Sequence, residues 1–63
     1  MYKVVIELYS DRTLIDPECY EVTSYEITGF ENFRAASEFI TFSPKGKTIC
    51  AEKNFAGWSI RKQ

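Results

Sequence analysis

The sequence predicts an all-β fold, a small antiparallel meander of four to five strands that forms a half-open barrel or a curled sheet. Three observations support this class. Apolar and polar residues alternate with period two in several segments, turn-forming residues separate these segments, and aromatic residues make up 16% of the chain. At 63 residues the chain can form one small domain, residues 1–63, and is too short for two hydrophobic cores.

The first predicted strand covers residues 2–9. Val4, Ile6 and Leu8 fall on one side of it, whereas Val5 falls on the other. Residues 13–15 are predicted to form a short return strand. A loop around Asp-Pro-Glu at 16–18 then leads to the next strand.

The second long strand is predicted at residues 19–29, but its apolar phase changes. Tyr20 and Val22 have even numbers, whereas Tyr25 and Ile27 have odd ones. A β-bulge near residues 23–24 would restore a single buried face. The alternative is a twisted strand with both faces partly covered.

The segment at residues 31–38 is the one ambiguous element. Helical spacing, which favours a helix, is shown by the following residues: Phe30, Phe33, Ala36 and either Phe39 or Ile40. Two turns are marginal in isolation, so we expect a loop with a helical turn. The alternative fold class is therefore α+β, with one short helix near residues 31–38.

The remaining strands are predicted at residues 38–43, 47–52 and 57–61. Pro44-Lys45-Gly46 has the composition of a tight turn, so the first two of these strands should form a hairpin. The alternation predicts a core that includes the following residues: Ile6, Ile27, Phe42, Ile49 and Trp58.

The residue types argue against an enzyme. The chain has no histidine, which removes the commonest general base and most catalytic metal sites. Its three glycines are scattered, so no phosphate-binding loop is present. Cys19 and Cys50 cannot complete a zinc site alone, and we expect free thiols. We therefore expect no catalytic residue, metal or cofactor.

Charge is divided unevenly along the chain. Residues 1–31 contain seven acidic and two basic side chains, whereas residues 32–63 contain six basic and two acidic ones. Acidic and basic strands could pair across the sheet. Alternatively, the molecule has two faces of opposite sign, through which copies could stack head to tail.

Ten aromatic residues are many for so small an interior, so we expect self-association into a homodimer or a larger assembly. No apolar run could span a membrane and no secretory signal is evident, so the expected location is the cytoplasm.

These features predict a small non-enzymatic binding protein that docks on another protein as an adaptor or stoichiometric inhibitor, for example an accessory or anti-defence factor of a bacterium or phage. Two alternatives stay open: an oligomeric binder of a small anionic ligand such as a nucleotide, and a β-barrel that binds single-stranded nucleic acid. The overall pI of about 5.3 makes nucleic acid the less favoured partner. The candidate binding residues are Tyr9, Tyr20, Arg34, Lys53, Phe55 and Arg61.

Overall fold

The computed structural model describes all 63 residues and contains a three-stranded antiparallel sheet with three short helices. The antiparallel sheet is confirmed, but only three strands form and the sheet does not close into a barrel. The fold is therefore the α+β alternative, with more helix than the sequence predicted. In chain order the elements are β1 (Tyr2–Tyr9), α1 (Asp11–Ile15), β2 (Val22–Phe30), α2 (Phe33–Phe42), α3 (Pro44–Cys50) and β3 (Phe55–Lys62).

The central strand is β1, and β2 and β3 flank it as edge strands. Ile6 lies opposite Tyr25 of β2 and Trp58 of β3, so these three residues share one face of the sheet. This helical face is covered by α2, which packs mainly on β1, and by α3, which packs on α2 and β3. The opposite, open face carries residues such as Val5 and Glu26 and is not covered by α2 or α3.

The predicted bulge near residues 23–24 is absent, because β1 and β2 pair in regular register from Tyr9 opposite Val22 to Val4 opposite Ile27. The irregularity lies at the other end of β2. There Gly29 has a φ of +97°, a conformation that favours glycine. The change of apolar phase between Val22 and Tyr25 arises because β2 carries apolar groups on both faces. This agrees with the alternative prediction of a strand with both faces partly covered. Val22 lies beside Tyr9 on the open face, and Ile27 lies on the helical face.

The ambiguous segment is fully helical. Asn32 caps α2, since its side chain accepts a hydrogen bond from the Ala35 amide at 2.8 Å. Ala36 and Ile40, one turn apart, are buried against the sheet. The predicted strand at residues 38–43 is therefore wrong. Apolar residues alternate only briefly at residues 38–43. The helical spacing of apolar residues that begins before this segment continues through it, so the segment extends α2.

The predicted hairpin turn at Pro44-Lys45-Gly46 is the first turn of α3, so the predicted strand at residues 47–52 is also wrong. Ser43 ends α2 and caps α3. Its hydroxyl donates to the Phe39 carbonyl at 2.6 Å and accepts from the Gly46 amide at 2.9 Å. Proline suits the first helical position because its fixed φ is that of a helix. It has no amide hydrogen, but at this position an amide hydrogen would have no partner within the helix.

The core is small and lies between β1 and the helices. It consists of Val4, Ile6, Ala36, Ile40 and Ile49. Burial of Ile6 and Ile49 confirms the prediction for these two residues, and Ile27 is half-buried against the same cluster.

The prediction of burial is wrong for Phe42 and Trp58, which are 69% and 43% exposed. Phe42 is the last residue of α2. Trp58 lies on an edge strand, where the helices leave an open cleft. Residues 13–15, predicted to be a return strand, belong to α1. None of the helices is long and apolar enough to cross a membrane.

Candidate protein-docking surface

Residues 10–21 form a closed loop that contains α1 and connects β1 to β2. The loop is closed at its base, where the Ser10 amide donates to the Glu21 carbonyl at 3.0 Å. Ser10 also caps α1, because its hydroxyl accepts from the Thr13 amide at 3.2 Å. Compact loops whose ends meet in this way often carry function.

Thr13 holds the inside of the loop together and is its one buried residue. Its hydroxyl oxygen accepts a hydrogen bond from the Glu21 amide at 2.7 Å. The same hydroxyl can donate its single proton to the Cys19 carbonyl at 2.8 Å or to the Glu21 carbonyl at 3.0 Å. The Asp16 carboxylate accepts from the Glu18 amide at 3.1 Å and from the Cys19 thiol at 3.4 Å. These bonds fix a loop that has little apolar packing of its own.

The fixed loop displays large apolar side chains to solvent. Ile15 is 85% exposed, Tyr20 is 68% exposed and Leu14 is 42% exposed. Tyr20 packs edge to face on Tyr9, with ring centroids 5.8 Å apart. A shallow cavity of about 320 Å³ lies between these rings, Leu14 and Pro17. We use the name α1 surface for the exposed Ile15 of α1 together with the following residues of the cavity: Tyr9, Leu14, Pro17 and Tyr20.

The loop that carries α1 also contains acidic side chains, and exposed Lys53 lies on the segment that runs beside Tyr9. Asp11, Asp16 and Glu18 form no ion pair, and Arg12 pairs with Glu21 at 3.6 Å. An apolar centre with a charged rim is the usual anatomy of a protein interface.

The sequence-predicted site residues separate into two groups at opposite ends of the sheet. Tyr9 and Tyr20 are in contact. The segment that contains Lys53 and Phe55 runs beside them, since the Tyr9 amide donates to the Asn54 carbonyl at 2.7 Å. Lys53 is exposed, whereas Phe55 is half-buried and packs against the core cluster.

Arg34 and Arg61 lie at the other end of the sheet. Arg61 is opposite Lys3, near the start of β1, and Arg34 pairs with Glu38 along α2 at 3.0 Å. The six candidates therefore do not form one site.

The sequence prediction missed Leu14 and Ile15 because it assigned residues 13–15 to a strand, where these side chains would help to build a sheet. It placed Pro17 in a connecting loop, with no role in binding. A signal was present in the sequence. Ser10, followed three residues later by Thr13 and then by two apolar residues, is compatible with a capped helical turn.

A second concave feature lies on the helical face, between α2, α3 and β3. It has a volume of about 440 Å³ and is mostly apolar, with one cation. We call it the α3 cleft. Its lining residues are Ile40, Thr41, Lys47, Cys50, Ala51 and Trp58.

The chain contains no group of three or more His, Cys, Asp or Glu side chains that could hold a metal ion, and both cysteines are free thiols. Comparison with protein-family models, with curated proteins and with solved structures finds no match to this sequence.

Proposed function

We propose that this chain is a non-enzymatic protein-binding module of the cytoplasm, which acts as an adaptor or stoichiometric inhibitor by docking its α1 surface on a partner protein. The observation that carries the proposal is the exposure of Leu14, Ile15 and Tyr20 on a loop fixed by Thr13. An accessory or anti-defence factor of a bacterium or phage would need no more than such a surface.

Rigidity is the first support for this proposal. Ordering a flexible loop on binding costs free energy, and a loop already held by hydrogen bonds avoids most of that cost. Tyrosine is enriched among the residues that dominate binding free energy, and Tyr20 is anchored on Tyr9 while most of its surface stays exposed.

Charge indicates the chemistry of the partner. Asp11, Asp16 and Glu18 form no ion pair around the apolar centre. They would attract a surface that presents lysine or arginine beside aliphatic or aromatic side chains. We therefore propose a basic, partly apolar partner surface.

The test is selection of binding peptides from a random displayed library, with the wild-type chain as bait. We expect enrichment of sequences that combine Lys or Arg with apolar residues. The double variant Ile15→Ser/Tyr20→Ala should lose at least tenfold in affinity for the selected peptides, with its melting temperature little changed.

The matched control is Phe33→Ser, which removes a comparably exposed aromatic side chain from the start of α2, where Phe33 contacts Tyr2 rather than the α1 surface. Peptide affinity should be retained in this variant. Selection of acidic peptides, or equal losses in the control and the double variant, would overturn the proposal.

We favour this function over the two alternatives because the basic side chains do not converge. Lys47 lines the α3 cleft on the helical face, whereas Arg61 lies on the open face, opposite Lys3. A single strand of nucleic acid needs a continuous basic groove. The α3 cleft offers a nucleotide one ammonium group and the Trp58 indole. Melting temperatures measured with nucleotides, and salt-sensitive retention on single-stranded DNA or RNA, test these alternatives directly.

A further inference from the structure

We propose that copies of this chain associate head to tail, with the α1 surface of one copy seated in the α3 cleft of the next. The inference rests on the proposed function, since it assigns a second copy as a partner of the same α1 surface. Three observations carry it: the distribution of ion pairs, the apolar character of both surfaces, and their separate positions on the molecule.

The ion pairs leave the two halves of the chain oppositely charged. Lys3 pairs with Glu26 and Arg12 pairs with Glu21, so both bases of residues 1–31 are used within that half. The pair Arg34–Glu38 lies within residues 32–63. No ion pair joins the halves, so the acidic and basic sets do not neutralise each other across the sheet.

The uncompensated charges flank the two proposed contact surfaces. On the acidic side, Asp11 lies in the first turn of α1, Asp16 is its C-terminal cap, and Glu18 follows in the same loop. On the basic side, Lys47 lines the α3 cleft and Lys45 lies in the first turn of α3. Opposite charge around two apolar surfaces favours their association and disfavours pairing of either surface with itself.

The shapes also suit each other. Ile15 is a convex apolar group, 85% exposed on a short helix. The α3 cleft is concave, with Trp58 as one wall and Cys50 and Ala51 as another part of its lining. Burial of an exposed isoleucine against an indole removes apolar surface of both side chains from water, which favours contact.

No residue belongs to both surfaces, so the two contacts do not compete for the same side chains. Such a contact is heterologous, and it gives a ring if the rotation between copies closes and an open chain if it does not. Five residues of the α1 surface and six of the α3 cleft make a small interface. We therefore expect weak association, with a dissociation constant on the order of micromolar or above.

The experiment is sedimentation of purified chain from roughly 10 μM to 1 mM, the range in which small interfaces associate. The wild type should form dimers and larger species. Ile15→Asp damages the α1 surface only, and Lys47→Glu damages the cleft only. Each variant alone should sediment as a monomer at concentrations where the wild type associates. Thr41→Arg changes another exposed position in the cleft. It provides a second cleft variant in case Lys47→Glu does not fold.

Mixing the two variants gives the sharpest result. Ile15→Asp keeps an intact cleft and Lys47→Glu keeps an intact α1 surface, so an equimolar mixture should form dimers and nothing larger. Phe33→Ser is the matched control and should behave as the wild type.

A wild type that stays monomeric at all concentrations overturns the inference, as does a mixture that fails to dimerise although both variants are folded. Loss of association in Ile15→Asp with full retention in both cleft variants would show an α1–α1 contact instead. A further outcome separates the two proposals. If the wild type is monomeric but the double variant Ile15→Ser/Tyr20→Ala still has reduced affinity for the selected basic peptides, the head-to-tail contact is refuted and the proposed function stands.

Discussion

At position 46 the chain requires glycine because α2 and α3 meet there at backbone distance. A Cβ atom on Gly46 would overlap the Phe39 carbonyl oxygen and lie 2.9 Å from the Ile40 Cα. Both obstacles are main-chain atoms, so they cannot move aside as a flexible side chain would. Gly46→Ala should therefore cost about 1–3 kcal/mol or more of the free energy of unfolding, measured by denaturant titration.

Gly57 provides the matched control for this substitution. No atom lies within 4 Å of a Cβ placed there, and its φ is not in the left-handed region. Gly57→Ala should be neutral, or stabilising by about 0.4–1 kcal/mol through the unfolded chain. Equal stability of the two alanine variants would show that the helices separate easily.

Thr13 is the residue on which the α1 surface depends. Thr13→Val keeps the shape of the side chain but leaves the Glu21 amide without its partner at 2.7 Å. We expect a loss of about 1–3 kcal/mol and faster hydrogen exchange at the Glu21 amide. Thr13→Ser keeps the hydroxyl and should preserve slow exchange. Slow exchange in the valine variant would show that other contacts order the loop.

Among the elements, β1 carries most of the fold because it pairs with both other strands and supplies two of the five core residues. Ile6 is fully buried at its centre. Ile6→Ala should cost about 2–5 kcal/mol, a large fraction of the stability of so small a domain. Ile15→Ala makes the same chemical change at an exposed position and should shift stability by less than about 0.5 kcal/mol. Similar melting temperatures for the two variants would contradict the assignment of faces.

The sequence was informative for β1 because its alternation is long, and a long period-two pattern has few other interpretations. It was misleading at α3. Pro44 and Gly46 favour a tight turn in local terms, and Ile49 and Ala51 are spaced as in a strand. The helix forms because Ser43 caps it and because glycine lets α3 approach α2, and the second condition is a tertiary contact that no local pattern reveals.

The α1 surface was predictable only in part. The sequence indicates Tyr9 because it falls on the side of its strand opposite the apolar residues, and it indicates Tyr20 because that residue lies across the phase change from Tyr25. The structure brings the Tyr9 and Tyr20 rings into contact. The role of Ile15 could not be seen, since its exposure depends on the turn of α1 and on the Thr13 hydroxyl bonds that hold the loop.

As a whole, the molecule is a thin plate with extents of 39 × 23 × 11 Å. Its accessible surface of 4528 Å² exceeds the roughly 4,200 Å² expected for a monomer of this mass. One helical layer on one side of an open sheet leaves little interior, which explains why many aromatic residues stay accessible. Association with another chain is a common way for such small domains to gain stability.

The last prediction follows from the opposed charges of the two halves. If they steer head-to-tail association, raising sodium chloride from about 0.01 to 0.5 M should slow association, because the screening length falls from about 30 Å to a few ångströms. Dissociation should change much less, since it depends on the apolar contact of Ile15 with Trp58. Relaxation after rapid dilution and concentration jumps separates the two rate constants. An apolar contact without steering would give an association rate independent of sodium chloride, and that result would leave the charge segregation without a role in assembly.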